Sequence, residues 1–71
     1  MIFIYNTPIT TLPQDLKVGE YLNLRDTQIT SLPQDLTVGG NLNLANTPTS
    51  KKYSKEQIRQ MVPGVKGEII I

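Results

Sequence analysis

The chain copies itself. Residues 9–28 read ITTLPQDLKVGEYLNLRDTQ and residues 29–48 read ITSLPQDLTVGGNLNLANTP, identical at thirteen of twenty positions. No other feature restricts the fold as sharply. A unit this short cannot bury its apolar side alone, so it must stack on a copy of itself, which is the physics of a solenoid. The period extends beyond the two full copies. MIFIYNTP at the start aligns with residues 21–28 and 41–48, so the chain begins inside a repeat, with Ile2, Leu22 and Leu42 in one column and Ile4, Leu24 and Leu44 in another. A longer insert follows Thr49. The pattern then returns at Val65-Lys66-Gly67-Glu68, matching Val38-Gly39-Gly40-Asn41, and Ile69 and Ile71 take the Leu42 and Leu44 columns.

Within one repeat the apolar residues first alternate. Leu22 and Leu24 point one way and Tyr21, Asn23 and Arg25 the other, the period of two expected of a half-buried strand. Stacked repeats place these strands about 4.8 Å apart in a parallel sheet. Ile29 and Leu32 turn inward on the return path, and Pro33, which has no amide hydrogen to donate, makes Leu-Pro-Gln-Asp-Leu an extended or single-turn segment. Val38 and Gly39-Gly40 close the circuit, the glycines being expected to supply backbone angles that side chains resist.

Leu22-x-Leu24-x-x-Thr27-x-Ile29-x-x-Leu32-Pro33, seen also as Ile2-x-Ile4-x-x-Thr7-x-Ile9-x-x-Leu12-Pro13, resembles the short leucine-rich repeat of bacterial and phage proteins, the LPX type. The resemblance covers residues 1–49 and reappears in the final rung. It implies a miniature α/β solenoid that binds protein partners through its strand face. Thr7, Thr27 and Thr47 stand where that family usually has asparagine, so a side-chain ladder to neighbouring backbone would rest on hydroxyls. Gly19 and Gly39 stand in the column of the motif's first leucine.

The insert reads as a cap. Ser54 with Gln57 three residues later forms a capping-box signal, and Tyr53 and Ile58 stand at staple positions. Ile58, Met61 and Val62 share a face, while Lys55, Glu56, Arg59 and Gln60 face water. Pro63-Gly64 ends a helix of about nine residues, too short to persist without packing. The expected fold is therefore a single domain over residues 1–71: repeats over 1–50, a helical cap insert over 51–64 and a final strand over 65–71. It has about four short parallel strands and one C-terminal helix.

Seventy-one residues allow one small domain. The absence of cysteine and histidine removes disulfides, thiolate and imidazole chemistry and the usual zinc sites, and suits a reducing compartment. No apolar run approaches the roughly 18 residues that span a bilayer, and no secretory signal pattern is present. The expected location is cytoplasmic, a host cell's cytoplasm if the chain is phage-encoded, with no membrane partner. No metal or cofactor is expected. The charge is uneven: residues 1–50 sum to −2 and residues 51–71, with Lys51, Lys52, Lys55, Arg59 and Lys66, to +3.

Function is expected on surfaces. The outward strand positions align as one face: Met1, Phe3 and Tyr5; Tyr21, Asn23 and Arg25; Asn41, Asn43 and Ala45; Glu68 and Ile70. Phe3, Tyr5, Tyr21, Asn23, Arg25 and Asn43 form the candidate partner site, aromatic residues beside an arginine being favoured at binding hot spots. The apolar sheet ends, Met-Ile-Phe-Ile-Tyr and Glu-Ile-Ile-Ile, offer unpaired edges for a homo-oligomer or for another protein. No phosphate loop, nucleophile elbow or converging acid-base set is evident, and Asp15 and Asp35 read as turn residues that recur with the repeat. The first expectation is a non-enzymatic protein-interaction module. The alternatives are a small phage-encoded inhibitor of a host nucleic-acid-handling enzyme such as a defence nuclease, acting through Lys51, Lys52, Lys55 and Arg59, and a self-assembling structural unit. Direct nucleic-acid binding has little support from so small a basic excess.

Overall fold

The computed structural model describes residues 2–4 and 6–71, Ile2 and Phe3 by their main chain only. The chain passes alternately through two parallel sheets. Strands β1 (Ile2–Phe3), β3 (Leu22–Asn23), β5 (Leu42–Asn43) and β7 (Ile69–Ile70) form the first, in that order. Strands β2 (Lys17–Val18), β4 (Thr37–Val38) and β6 (Gly64–Val65) form the second. The registers follow the repeat: Ile2 pairs with Leu22, Leu22 with Leu42 and Leu42 with Ile69, while Val18 pairs with Val38 and Val38 with Val65. Both sheets are open, with β1 and β7 at the edges of one and β2 and β6 at the edges of the other.

The second sheet was not expected. The Val-Gly segment reads as a corner, yet its main chain pairs from one circuit to the next, Gly39 N–H donating to Val18 O at 2.8 Å and Lys66 N–H to Val38 O at 2.9 Å. The glycines also act differently from expectation. None has a positive φ. They are needed because successive circuits approach closely there: a Cβ on Gly39 would collide with the carbonyl of Gly19, and one on Gly67 would lie 2.6 Å from the carbonyl of Gly40. The left-handed angles occur instead at Asn6, Asp15, Asp26 and Asn46, with φ between 58° and 61°. Asparagine and aspartate are the side-chain-bearing residues that tolerate that region best. Asn6, Asp26 and Asn46 occupy one column and bend the chain just after β1, β3 and β5.

The core lies between the sheets. Leu22, Leu24, Leu42, Leu44, Leu36 and Val38 are fully buried, Ile69, Ile58 and Val62 continue the same cluster, and Ile29 is fully buried as well. Thr27 and Thr47 are buried among them, and their hydroxyls donate to the carbonyls of Leu24 and Leu44 at 2.7 Å. Thr7 does the same to Ile4 at 2.9 Å. The threonine column therefore bonds within its own circuit and not to the neighbouring one. Each hydroxyl bonds a carbonyl at the point where the chain bends out of the sheet, and the Leu24 carbonyl also accepts from the Thr27 amide at 3.3 Å. Ile71 sits in the Leu44 register but is 48% exposed, because no further strand lies beyond β7 among the described residues.

Two helices occupy the insert where one was expected. Helix α2 (Lys55–Met61) has the anticipated Ser54 and Gln57 capping box, spans seven residues and buries Ile58. Val62 is its C-cap and is also buried, while Met61 is half-buried. Helix α1 (Pro48–Lys52) carries a second box, Thr47 with Ser50, and Pro48 at the first helical position, where its missing amide hydrogen costs nothing. Thr49 replaces Ile29 in its column, and both its amide and its hydroxyl donate to Ile29 O, at 3.2 and 2.9 Å. The third circuit thus starts like the second and then turns helical. α2 packs against β7.

Candidate functional site

Of the six strand-face residues expected to bind a partner, Tyr21, Asn23, Arg25 and Asn43 lie on the first sheet's outer side. The Phe3 side chain and Tyr5, like Met1, lie outside the described residues. Asn23 and Asn43 are half-buried and structurally engaged. The Asn23 side-chain oxygen accepts from the Arg25 amide and that of Asn43 from the Ala45 amide, both at 3.0 Å. These are local Asx turns that guide the chain into the left-handed residue one position later. Asn43 Nδ2 also donates to the Tyr21 hydroxyl at 3.1 Å, tying two circuits together across the face. Arg25 stands out from it, its side chain 62% exposed and its Nε 3.6 Å from Asp26 Oδ2. Asp26 Oδ1 accepts from Asn46 Nδ2 at 2.6 Å. Asp26 and Asn46 thus belong to the rim of the face, and their recurrence in the column after each strand was the sequence signal for them.

The four basic candidates divide. Lys51 and Lys52 in the last turn of α1 and Lys55 in the first turn of α2 are exposed at one elbow, and the Lys52 ammonium lies 5.4 Å from the centroid of the Tyr53 ring. Arg59 is half-buried. Its Nη1 donates to Val65 O at 2.5 Å and its Nη2 to Gly67 O at 2.6 Å. The guanidinium fork thereby fastens the main chain on either side of Lys66, so Arg59 holds the last circuit and stands apart from the lysine elbow.

Asp15 and Asp35, far apart in sequence, meet on adjacent circuits. The Asp15 amide donates to Asp35 Oδ1 at 3.1 Å. The hydrogen bond between their side chains, followed by repulsion between their charges, raises the Asp15 carboxyl above its ordinary range. The same hydrogen bond, helped by the Asp15 amide, holds Asp35 below it. Both carboxylates are exposed. Beside them Gln14, Pro33, Gln34 and Asp35 line an open depression of about 300 Å³. Among the described residues no three acidic, histidine or cysteine side chains converge as a metal site would require.

The first circuit ends the core on one side. Ile4, Ile9, Leu12 and Leu16 pack against it but stay half-buried, whereas Leu24, Ile29 and Leu36, their counterparts in the next circuit, are fully covered, Leu32 alone remaining half-buried. Among the described residues no helix is long and apolar enough to cross a membrane. Comparison with known proteins yields no match: no family model fits the chain, and no curated protein or solved structure is significantly similar to it.

Proposed function

We propose that the chain is a miniature leucine-rich-repeat solenoid of the bacterial or phage LPX type, a non-enzymatic cytoplasmic module that binds a protein partner through its strand face or its sheet edges. The observation that carries this reading is the strand face itself. Tyr21 and Asn43 are locked together by a hydrogen bond, and Arg25 projects beside them from a turn braced by Asp26 and Asn46. A rigid face with an aromatic ring and an arginine loses little side-chain entropy on binding, which favours affinity. The test is a photo-crosslinking residue at position 45, on the same face, where only the main chain of Ala45 is engaged, used in lysate of the source organism or its host. A discrete adduct that the unlabelled chain competes away, and that an Arg25→Glu competitor fails to displace, supports the face. Equal competition by both removes it.

A second reading, an inhibitor that docks on the acidic or nucleic-acid-facing surface of a host nuclease, draws on Lys51, Lys52 and Lys55, which share one exposed elbow. Arg59 does not belong to that set. Reversing the three lysine charges abolishes activity under this reading and spares it under the first.

A further inference from the structure

Gly19 has no reason to be glycine within the circuits described. Its φ is not positive, and a Cβ built on it meets nothing within 4 Å among the described residues. In the same column Gly39 must be glycine, because the carbonyl of Gly19 in the preceding circuit lies where its Cβ would be. Gly19 thus bears the footprint of a circuit stacked beneath it. Three further features mark the same end. β1 and β2 are both edge strands there, and Ile4, Ile9, Leu12 and Leu16 are only half-covered. The interface between the first and second circuits, through β1–β3 and β2–β4 pairing, shows the geometry that would continue.

We propose that this end of the stack docks one more circuit of the same kind, a segment with the apolar spacing of residues 21–40. The partner segment pairs in parallel with β1 and β2, lays apolar side chains over Ile9, Leu12 and Leu16, and brings a main-chain carbonyl against Gly19. A second copy of this chain stacked head to tail does not fit. Its opposite end carries α2 with Lys55, Glu56, Gln57 and Gln60 exposed, and there the first sheet runs one strand beyond the second. A copy pairing its β7 with β1 would leave β2 unpaired. The inference rests on the edge arm of the proposed function and makes no use of the strand face.

The test uses the sequence of residues 21–40 as the added circuit, joined ahead of Met1 by a linker with a protease site. In the chain without the addition, Gly19→Ala leaves the thermal midpoint unchanged or raises it, since the alanine has room and narrows the unfolded ensemble. In the fusion the added circuit gains amide-exchange protection, and Gly19→Ala now lowers the midpoint. After the linker is cut, the added circuit co-elutes with the Gly19 protein and dissociates at least about tenfold faster from the Gly19→Ala form. An added circuit that stays unprotected, or a Gly19→Ala effect of the same sign with and without it, overturns the proposal. So does a dimer of the unfused chain by light scattering. Arg25→Glu leaves the docking intact, so the face and the edge can fail separately.

Discussion

Arg59 gives the sharpest test of how the last circuit is held. The insert makes the third circuit 27 residues long instead of twenty, as the Leu42–Ile69 and Leu22–Leu42 pairs show. The chain re-entering the stack at Val65 has to be caught, and the guanidinium does so by donating to Val65 O and Gly67 O at 2.5 and 2.6 Å. Hydrogen bonds from a charged donor are worth about 1.5–3 kcal/mol each, and half-burial of the side chain takes the pair toward the lower end. Arg59→Ala is therefore expected to cost about 2–3 kcal/mol, and Arg59→Lys, which keeps the charge but lacks the planar fork, about 1–2 kcal/mol. A chain of this size has a total stability of about 4–10 kcal/mol, so the loss is a large share. With a urea slope near 1 kcal/mol/M, the unfolding midpoint of Arg59→Ala falls by about 2–3 M. Native-state hydrogen exchange localises it: the Lys66 and Gly67 amides, which donate to Val38 O and Gly40 O, and the Leu42 and Leu44 amides, which donate to Glu68 O and Ile70 O, lose protection first. Midpoints within about 0.5 M of the parent, with those amides still protected, would refute the reasoning and return Arg59 to the solvent-facing role its sequence suggests.

Other expectations follow from the core and the carboxylate pair. Leu42→Ala, at the centre of the first sheet and fully buried, should cost about 3–5 kcal/mol and leave the chain largely unfolded at 37 °C by circular dichroism. Thr27→Val leaves the Leu24 carbonyl with only the 3.3 Å Thr27 amide and should cost about 1–2 kcal/mol in urea titration, whereas Thr27→Ser costs less than half as much. For the aspartates the sign is set by opposite shifts from the ordinary value of 3.8. The Asp15 contribution is complete below that value and lost as pH rises through its raised pKa, and the Asp35 contribution is complete above it and lost as pH falls through its lowered one. Their sum peaks between the two, where the pair holds one proton. The urea midpoint should show a local maximum there that Asp35→Asn abolishes; a profile unchanged by the substitution would show that the two carboxyls do not interact.

Much of the architecture was legible because repeated residues have repeated environments. Leucines at the same place in successive repeats must sit over one another, and a shift of one residue would turn the buried set to water, so the pairing of Ile2, Leu22, Leu42 and Ile69 follows from spacing alone. The Ser54 and Gln57 cap was legible for a local reason: both partners lie within one turn of helix. The equivalent Thr47 and Ser50 box was hidden because Thr47 also completes the threonine column and there bonds the Leu44 carbonyl.

What tertiary structure alone decided is which main-chain groups come near a given side chain. Asp15 looked like an isolated turn residue until stacking set it against Asp35, and Arg59 looked like one of four surface cations until the returning chain placed two carbonyls within its reach. The glycines looked like flexible corners, yet the spacing between circuits, and not any unusual backbone angle, excludes a Cβ from Gly39 and Gly67. Periodicity determines the order of the layers, because burial of apolar side chains depends only on which face they occupy. The distances between layers set the polar contacts, since a hydrogen bond is made or lost within a few tenths of an ångström.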